Sequence, residues 1–347
     1  MKIIQMSRRD LLALTMCLAE LLAGSIAQAQ TVDEFYRNKN IDLYVGFSAG
    51  GGYDVYARMI ARHMGRHMPG NPNIIVKQME GAGSVRLANW LYAIAPKDGT
   101  TFGTFARGVP LDPLFGNPGP QFKDGSAFTY IGSANNEVSV CGVSAKSGIK
   151  SFSDLFDKEV IVGGFGAGTE SEQHVKLSNA VLGTKFKLVK GYPGGNDVNL
   201  ALSRGEVQGR CGWSWTSIRG AEQMGQVKDG SLLIIVQNSI EKHADLPNVP
   251  LITDFVKNED QRKMLELVLA PQKLGRPFFG PPGIPADRLA ALQKAFADTM
   301  TDPQFLEAAD KIQLEISPIS GAEMEKIIRD AYATDQALVK RTGDAIR

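Results

Sequence analysis

Ile41-Asp42-Leu43-Tyr44-Val45-Gly46-Phe47-Ser48-Ala49-Gly50-Gly51-Gly52-Tyr53-Asp54 is an extended apolar run that empties into a glycine cluster. Its natural reading is a strand followed by a turn, since glycine lets the chain turn sharply and bares the backbone. From Tyr53 the period changes. Ala57, Ile60, Ala61, Met64 and Met68 recur at three-four spacing, Arg58, Arg62 and Arg66 fall on another face, and Pro69, Gly70 and Pro72 end the helix.

Beyond this helix, Ile74–Lys77 fits a second strand, Val85–Ala93 a helix, and Thr101–Phe105 a third strand behind the Asp98-Gly99 turn. Strand-helix-strand-helix-strand with short links is an open α/β unit, in which ligands sit at the strand C-terminal ends. The device repeats later. Val160-Ile161-Val162 runs into Gly163-Gly164-Phe165-Gly166-Ala167-Gly168-Thr169, with a helix expected over Ser171–Leu182. Strands then fit residues 186–189, 207–213 and 232–236, with a helix through Leu202 capped by Asn196 or Asp197. A second α/β domain over residues 141–236 is therefore expected, inserted into a first made of 30–140 and 237–347. Helical periodicity returns at 261–269, 286–300, 303–309 and 321–339, a tail expected to pack on the first domain.

The chain has 347 residues, 38 of them basic and 37 acidic, with 4 His and 3 Cys. That length suits two domains, and the balanced charge argues against a nucleic-acid partner. Lys2, Arg8 and Arg9, the apolar Leu11–Ile26 stretch and Ala27-Gln28-Ala29 read as a secretory signal over residues 1–29. Its uninterrupted apolar run falls short of the ~20 residues that span a membrane. Ser7-Arg8-Arg9-Asp10-Leu11-Leu12 also resembles a twin-arginine signal, so the general secretory and twin-arginine routes both stay open, each ending in the periplasm. Cys141 and Cys211 remain after cleavage, as a disulfide or as two buried thiols. Neither forms a CxxC pair and the histidines are scattered, so no metal or redox motif is seen.

Glycine clusters at Gly50-Gly51-Gly52 and at Gly166, Ala167, Gly168 and Thr169, with Ser171 beyond, can each cradle an anion on backbone N–H groups at a helix start. Two such starts on one cleft suit a substrate with two carboxylates. No GxxxxGK run occurs and the dinucleotide fingerprint is incomplete, which counts against nucleotides. Asp54 is expected to accept first-turn N–H bonds as a cap, with ligand contact as the sharper reading. Arg107, beyond the third strand, either clamps a carboxylate or forms a surface salt bridge. Trp213 and Trp215 either stack on an organic ligand or fill the core. Ser171 with His174 lacks the GxSxG turn of a hydrolase.

These segments together resemble the Bug or TctC-like family of extracytoplasmic solute receptors of the tripartite tricarboxylate transporter system, from about Ile41 to Thr342. The family's P-F-x-x-G-G-x-x-D is met by Gly46–Asp54, with Gly46 for the proline. Its N-R-x-G-A-G is met by Gln78–Gly83, with the Asn-Arg pair altered, and P-D-G-Y-T by Pro96–Thr101. The glycine-serine loop resembles Gly163–Ser171, H-V-P-Y-K-G resembles Lys190–Asp197, and G-x-V-D resembles Gly205–Gln208. L-P-x-V-P and G-P-x-G-x-P correspond to Leu246–Pro250 and Gly280–Pro285.

The resemblance implies a two-lobed periplasmic-binding-protein fold of type II, the Venus flytrap, with no catalysis and no cofactor. It implies a small carboxylic acid, a di- or tricarboxylate, captured between lobes by a monomer and delivered to membrane permease subunits. By the same resemblance, Ser48, Ala49, Gly50, Gly51 and Gly52 would hold one carboxylate, and Gly166, Ala167, Gly168, Thr169 and Ser171 the other. The loop of Tyr192, Gly194, Gly195 and Asn196 would complete the cleft. An aromatic or uncharged ligand stacked on Trp213, Trp215 and Tyr192 is the alternative, and a secreted hydrolase a distant one.

Overall fold

The computed structural model describes residues 30–117 and 119–347. The expected signal peptide, 1–29, lies outside the described residues. Eleven strands are described: β1 Asn40–Val45, β2 Asn73–Gln78, β3 Thr101–Thr104, β4 Thr129–Ser133, β5 Ser139–Ser144, β6 Val160–Gly163, β7 Phe186–Val189, β8 Gly209–Ser214, β9 Leu232–Asn238, β10 Pro277–Gly280 and β11 Ile319–Ser320. They form two sheets, ordered β11-β4-β10-β3-β1-β2 and β7-β6-β8-β5-β9. Each sheet with its flanking helices makes one lobe.

In the first sheet β1 lies parallel between β2 and β3, as expected of strand-helix-strand units. Among the strands absent from the sequence reading is β10, which enters antiparallel between β3 and β4. Its four residues are all buried, and Phe279 stacks on Phe105 with ring centroids 4.2 Å apart. So short a run shows no period, and ladder pairing with β3 and β4 together with aromatic burial holds it in place.

The chain crosses between sheets over residues 134–138 and returns after Asn238. β5 and β9 lie side by side with Ser139 opposite Asn238, so both crossings leave the second sheet at the same end of neighbouring strands. Such paired crossings are where two lobes can hinge.

The tail divides between the lobes instead of staying with the first. The Gly321–Tyr332 helix lies along β4, whereas Gln336–Ile346 packs on the Glu170–Leu177 and Glu259–Leu269 helices. Val339 and Ile346 share a core with Val175, Leu177, Leu265 and Val268, because the helical face of the second sheet would otherwise expose them. The expected single helix over 321–339 is two, since Asp335 caps a new start by accepting from the Leu338 N–H. Cys141 on β5 and Cys211 on β8 are disulfide-bonded.

Candidate functional site

Two glycine-started helices meet between the lobes. Gly51 is the N-cap of Gly52–Met64, and Gly194 that of Gly195–Arg204. A helix start carries unpaired N–H groups and the positive end of the dipole. Among the described residues the N–H groups of Gly51, Gly52, Tyr53, Gly195 and Asn196 find no acceptor. The approach is close: a methyl group on Gly51 would lie 3.7 Å from the Gly195 nitrogen, and one on Gly194 only 2.1 Å from Ser48 Oγ. Ser48 fastens this seam, its Oγ donating to Asp197 at 2.7 Å and its N–H to the Pro193 carbonyl at 3.4 Å.

The helix starts border a cavity of about 290 Å³. Arg210 and Trp213 of β8 reach it from the second lobe, and Val55, Tyr56, Ile312 and Leu314 supply apolar wall from the first. Three residues apart on a regular strand, Arg210 and Trp213 would face opposite ways. A bulge reverses this. Val140 pairs with Trp213 and Gly142 with Arg210, so Cys211 and Gly212 together oppose Cys141. Gly212 takes φ +62, and a Cβ there would lie 2.4 Å from the Glu170 carbonyl carbon. Only glycine fits a left-handed site against which a helix start is pressed.

Three buried guanidiniums face two buried carboxylates here. Arg107 Nε donates to Glu170 at 2.5 Å, with further bonds to the Gly275 carbonyl, Ser139 and Ser214. Burial alone would raise the Glu170 carboxyl, but Arg107 and the backbone N–H at the helix start hold it below its usual value. Arg276 lies 3.4 Å from Glu137 and donates to Ser214 and Ser217. Arg210 forms no ion pair among the described residues. Its Nη1 donates to the Gly195 carbonyl at 3.2 Å and to Asn199 at 3.0 Å, and its buried Nε has no partner among the described residues. The guanidinium lies 4.8 Å from the Trp213 ring and 5.3 Å from Phe165. Burial and then Arg276 push its pKa down to about 9, which leaves it charged at neutral pH.

The expected site residues divide. Gly50, Gly51, Gly52, Gly195, Asn196 and Trp213 line the 290 Å³ cavity. Ser48 and Gly194 form the seam beside it, while Ala49 is exposed and Tyr192 half-buried. Asp54 accepts from Gly50 N–H, Arg58 and Gln78, so it braces the glycine loop and does not take first-turn donors. Arg107 is no surface bridge. It is buried, and the carboxylate it clamps is Glu170 of this chain. Gly166, Ala167, Gly168, Thr169 and Ser171 do not line this cavity. The Gly166–Ala167 backbone packs against Gly83, Gly168 lies beneath Asp112, and the Ser171 hydroxyl accepts from Phe165 N–H. The second helix start at the cavity is thus Gly195, not Glu170. Gly194 likewise holds the cap position expected for Asn196 or Asp197.

Sequence reading passed over Arg210 and Arg276. The available signal was a lone arginine within the buried run Val207–Trp213. Ser171 and His174 share no hydrogen bond. His174 Nε2 lies 3.3 Å from Gln272, and burial holds the ring's pKa down at about 4. A depression of about 580 Å³, near Lys146 and Arg204, is lined by the second lobe alone, so bringing the lobes together would not enclose it.

The family described as the tripartite tricarboxylate transporter family receptor matches residues 56–343. The chain belongs to that family. This receptor superposes on the periplasmic binding protein BugD with a TM-score of 0.69 at 19% identity, covering 89% of this chain and 99% of that one. A Rhodopseudomonas palustris protein solved with adipate gives 0.68 at 18%, covering 88% and 98%. MatC from Rhodopseudomonas palustris with bound malate gives 0.67 at 18%, covering 89% and 99%. At these identities the likeness shows the shared fold, a two-lobed periplasmic-binding-protein architecture. None of the curated proteins matches. Among the described residues of this receptor, no helix is long and apolar enough to cross a membrane.

Proposed function

We propose that this receptor works in the periplasm, captures a small organic acid in the 290 Å³ interlobe cavity and presents it to the permease of a tripartite tricarboxylate-type transporter. The supporting observation is the convergence of two helix N-termini and a buried, carboxylate-free guanidinium on one cavity. Backbone N–H groups at helix starts and a guanidinium are complementary to a small oxyanion, a carboxylate among them. Two structural neighbours, one solved with adipate and one with malate, hold organic acids as well.

Capture then proceeds by population shift. An acid touching both the Gly51 and the Gly195 loops gains contacts only when the lobes are together, so it favours the closed form, whose surface a permease can read. Along the chain we take the lobes as residues 30–140 with 237–347, and 141–236, with the Gln336–Ile346 helix reaching across to pack on the second. The bound acid carries no bond to be broken in this scheme, and Ser171 and His174 serve packing.

A thermal-shift screen of mono-, di- and tricarboxylates tests the reading, since a ligand that binds only the native state raises its stability by about 2.7 kcal/mol at a hundredfold excess over Kd. Gly51→Asp is the companion variant. The site has room for a Cβ, and the new carboxylate occupies the anion's place, so the variant should fold and lose the shift given by the best acid. Equal shifts in both proteins would contradict the reading.

A further inference from the structure

The charges around the cavity select among acids, an inference that rests on the reading of acid capture. Arg107 is matched by Glu170, and Arg276 by Glu137. Among the described residues Arg210 makes no ion pair of its own, Glu170 acting on it only at a distance, and it is just 7% exposed. A buried unpaired charge is costly to the fold, which makes this one a candidate for pairing with something outside the chain. Its Nη1 is taken by Gly195 and Asn199, whereas its Nη2 meets no acceptor among the described residues. The faces of Trp213 and Phe165 fix the plane in which that nitrogen points.

Beyond Arg210 the cavity lining holds no charged side chain. Val55, Tyr56, Trp213, Ala221, Ile312 and Leu314 give it a broad apolar surface. A second carboxylate placed there would be desolvated without a cation to meet it. The nearby cavity that also touches Arg107, Glu170 and Arg276 is about 30 Å³, too small for an organic acid.

We propose that Arg210 is the ligand's charge partner, and that the preferred ligand is a singly charged carboxylate with an apolar or aromatic body. The carboxylate bridges Nη2 and the free N–H groups at the Gly51 and Gly195 helix starts. The body lies along Trp213 and the Val55–Leu314 wall.

Calorimetry on the full mature chain tests this at pH 7.5. The probes are benzoate, 3-phenylpropanoate and 4-methylpentanoate as singly charged apolar acids, adipate and malate as doubly charged ones, and benzamide as a neutral isostere. One of the singly charged acids should bind more tightly than both diacids, and benzamide should bind far more weakly. Arg210→Gln should weaken that acid by about 30-fold or more, the usual result of removing one partner of a desolvated charge pair. It should also melt no lower than wild type without ligand, because it removes an uncompensated buried charge, an outcome a purely structural arginine would not give. Arg210→Lys keeps the charge but loses the fork, and should fall between the two.

A diacid binding most tightly, unchanged acid affinity in Arg210→Gln, or a marked loss of unliganded stability in that variant would each overturn the inference and leave acid capture standing. Binding of benzamide alone, or of none of the six, would overturn both.

Discussion

Asp112 and His174 show how single buried groups set the pH response of the lobe contact. Asp112 accepts from Asn117 at 2.7 Å and from Gln173 of the facing lobe at 3.3 Å, and burial pushes its carboxyl up to about 7. Between the ordinary carboxylate range and pH 7 the folded chain keeps a proton that the unfolded chain has released. Stability from this group is therefore whole at low pH and lost as pH rises through 7. His174 acts in the opposite sense: with a folded pKa of about 4 against the ordinary 6.5, it costs stability as pH falls from 6.5 toward 4. The two offset each other over most of that window. Asp112→Asn removes one of them, and should raise the unfolding free energy at pH 8 by about 2 kcal/mol relative to wild type, with little gain at pH 4. Urea unfolding at both pH values measures it, and equal effects at both would contradict the assignment.

At the scale of elements, the site depends on an irregularity in β8. Without the bulge at Cys211-Gly212, Arg210 and Trp213 would project to opposite faces and the cavity would lose one of them. Gly212→Ala should cost about 2 kcal/mol or more, through its left-handed φ and the 2.4 Å approach to Glu170. It should also weaken acid binding. A urea midpoint and a calorimetric Kd unchanged from wild type would show that the bulge is dispensable.

This explains how far the elements were legible in the sequence. The Ile41–Asp54 stretch, the Val85–Ala93 helix and the Ala286–Thr301 helix announce themselves by period, because each buries one face against a sheet. β10 and the bulge have no period to read: one is four residues held by aromatic stacking, the other a register shift visible only once β5 and β8 are paired. The glycine cluster at Gly166–Gly168 looked like an anion cradle from its composition. Its glycines instead allow Gly83 and Asp112 of the facing lobe to come close, a long-range demand that the local sequence does not reveal. Gly194-Gly195 had the weaker motif and faces the cavity. The site was thus half legible: the first helix start and Trp213 could be found by pattern, whereas Arg210 needed the charge balance of its neighbours.

On the scale of the whole molecule, the lobes are joined by buried polar contacts as well as by a shared apolar core. Arg107 reaches from the first lobe to Glu170, Arg276 to Ser214 and Ser217, and Ser48 to Asp197. Such contacts demand exact partners and would be forfeited on opening, which favours two defined states over a continuum in the proposed capture. In the proposed capture, an acid between the lobes would add to the closed set alone. The most direct test is a crystal structure of the receptor with whichever acid gives the largest thermal shift. The expected density places its carboxylate within hydrogen-bond distance of the Gly51–Gly52 and Gly195–Asn196 nitrogens and of the Arg210 guanidinium. Density for the acid in the Lys146–Arg204 depression instead, with the interlobe cavity holding none, would contradict the account.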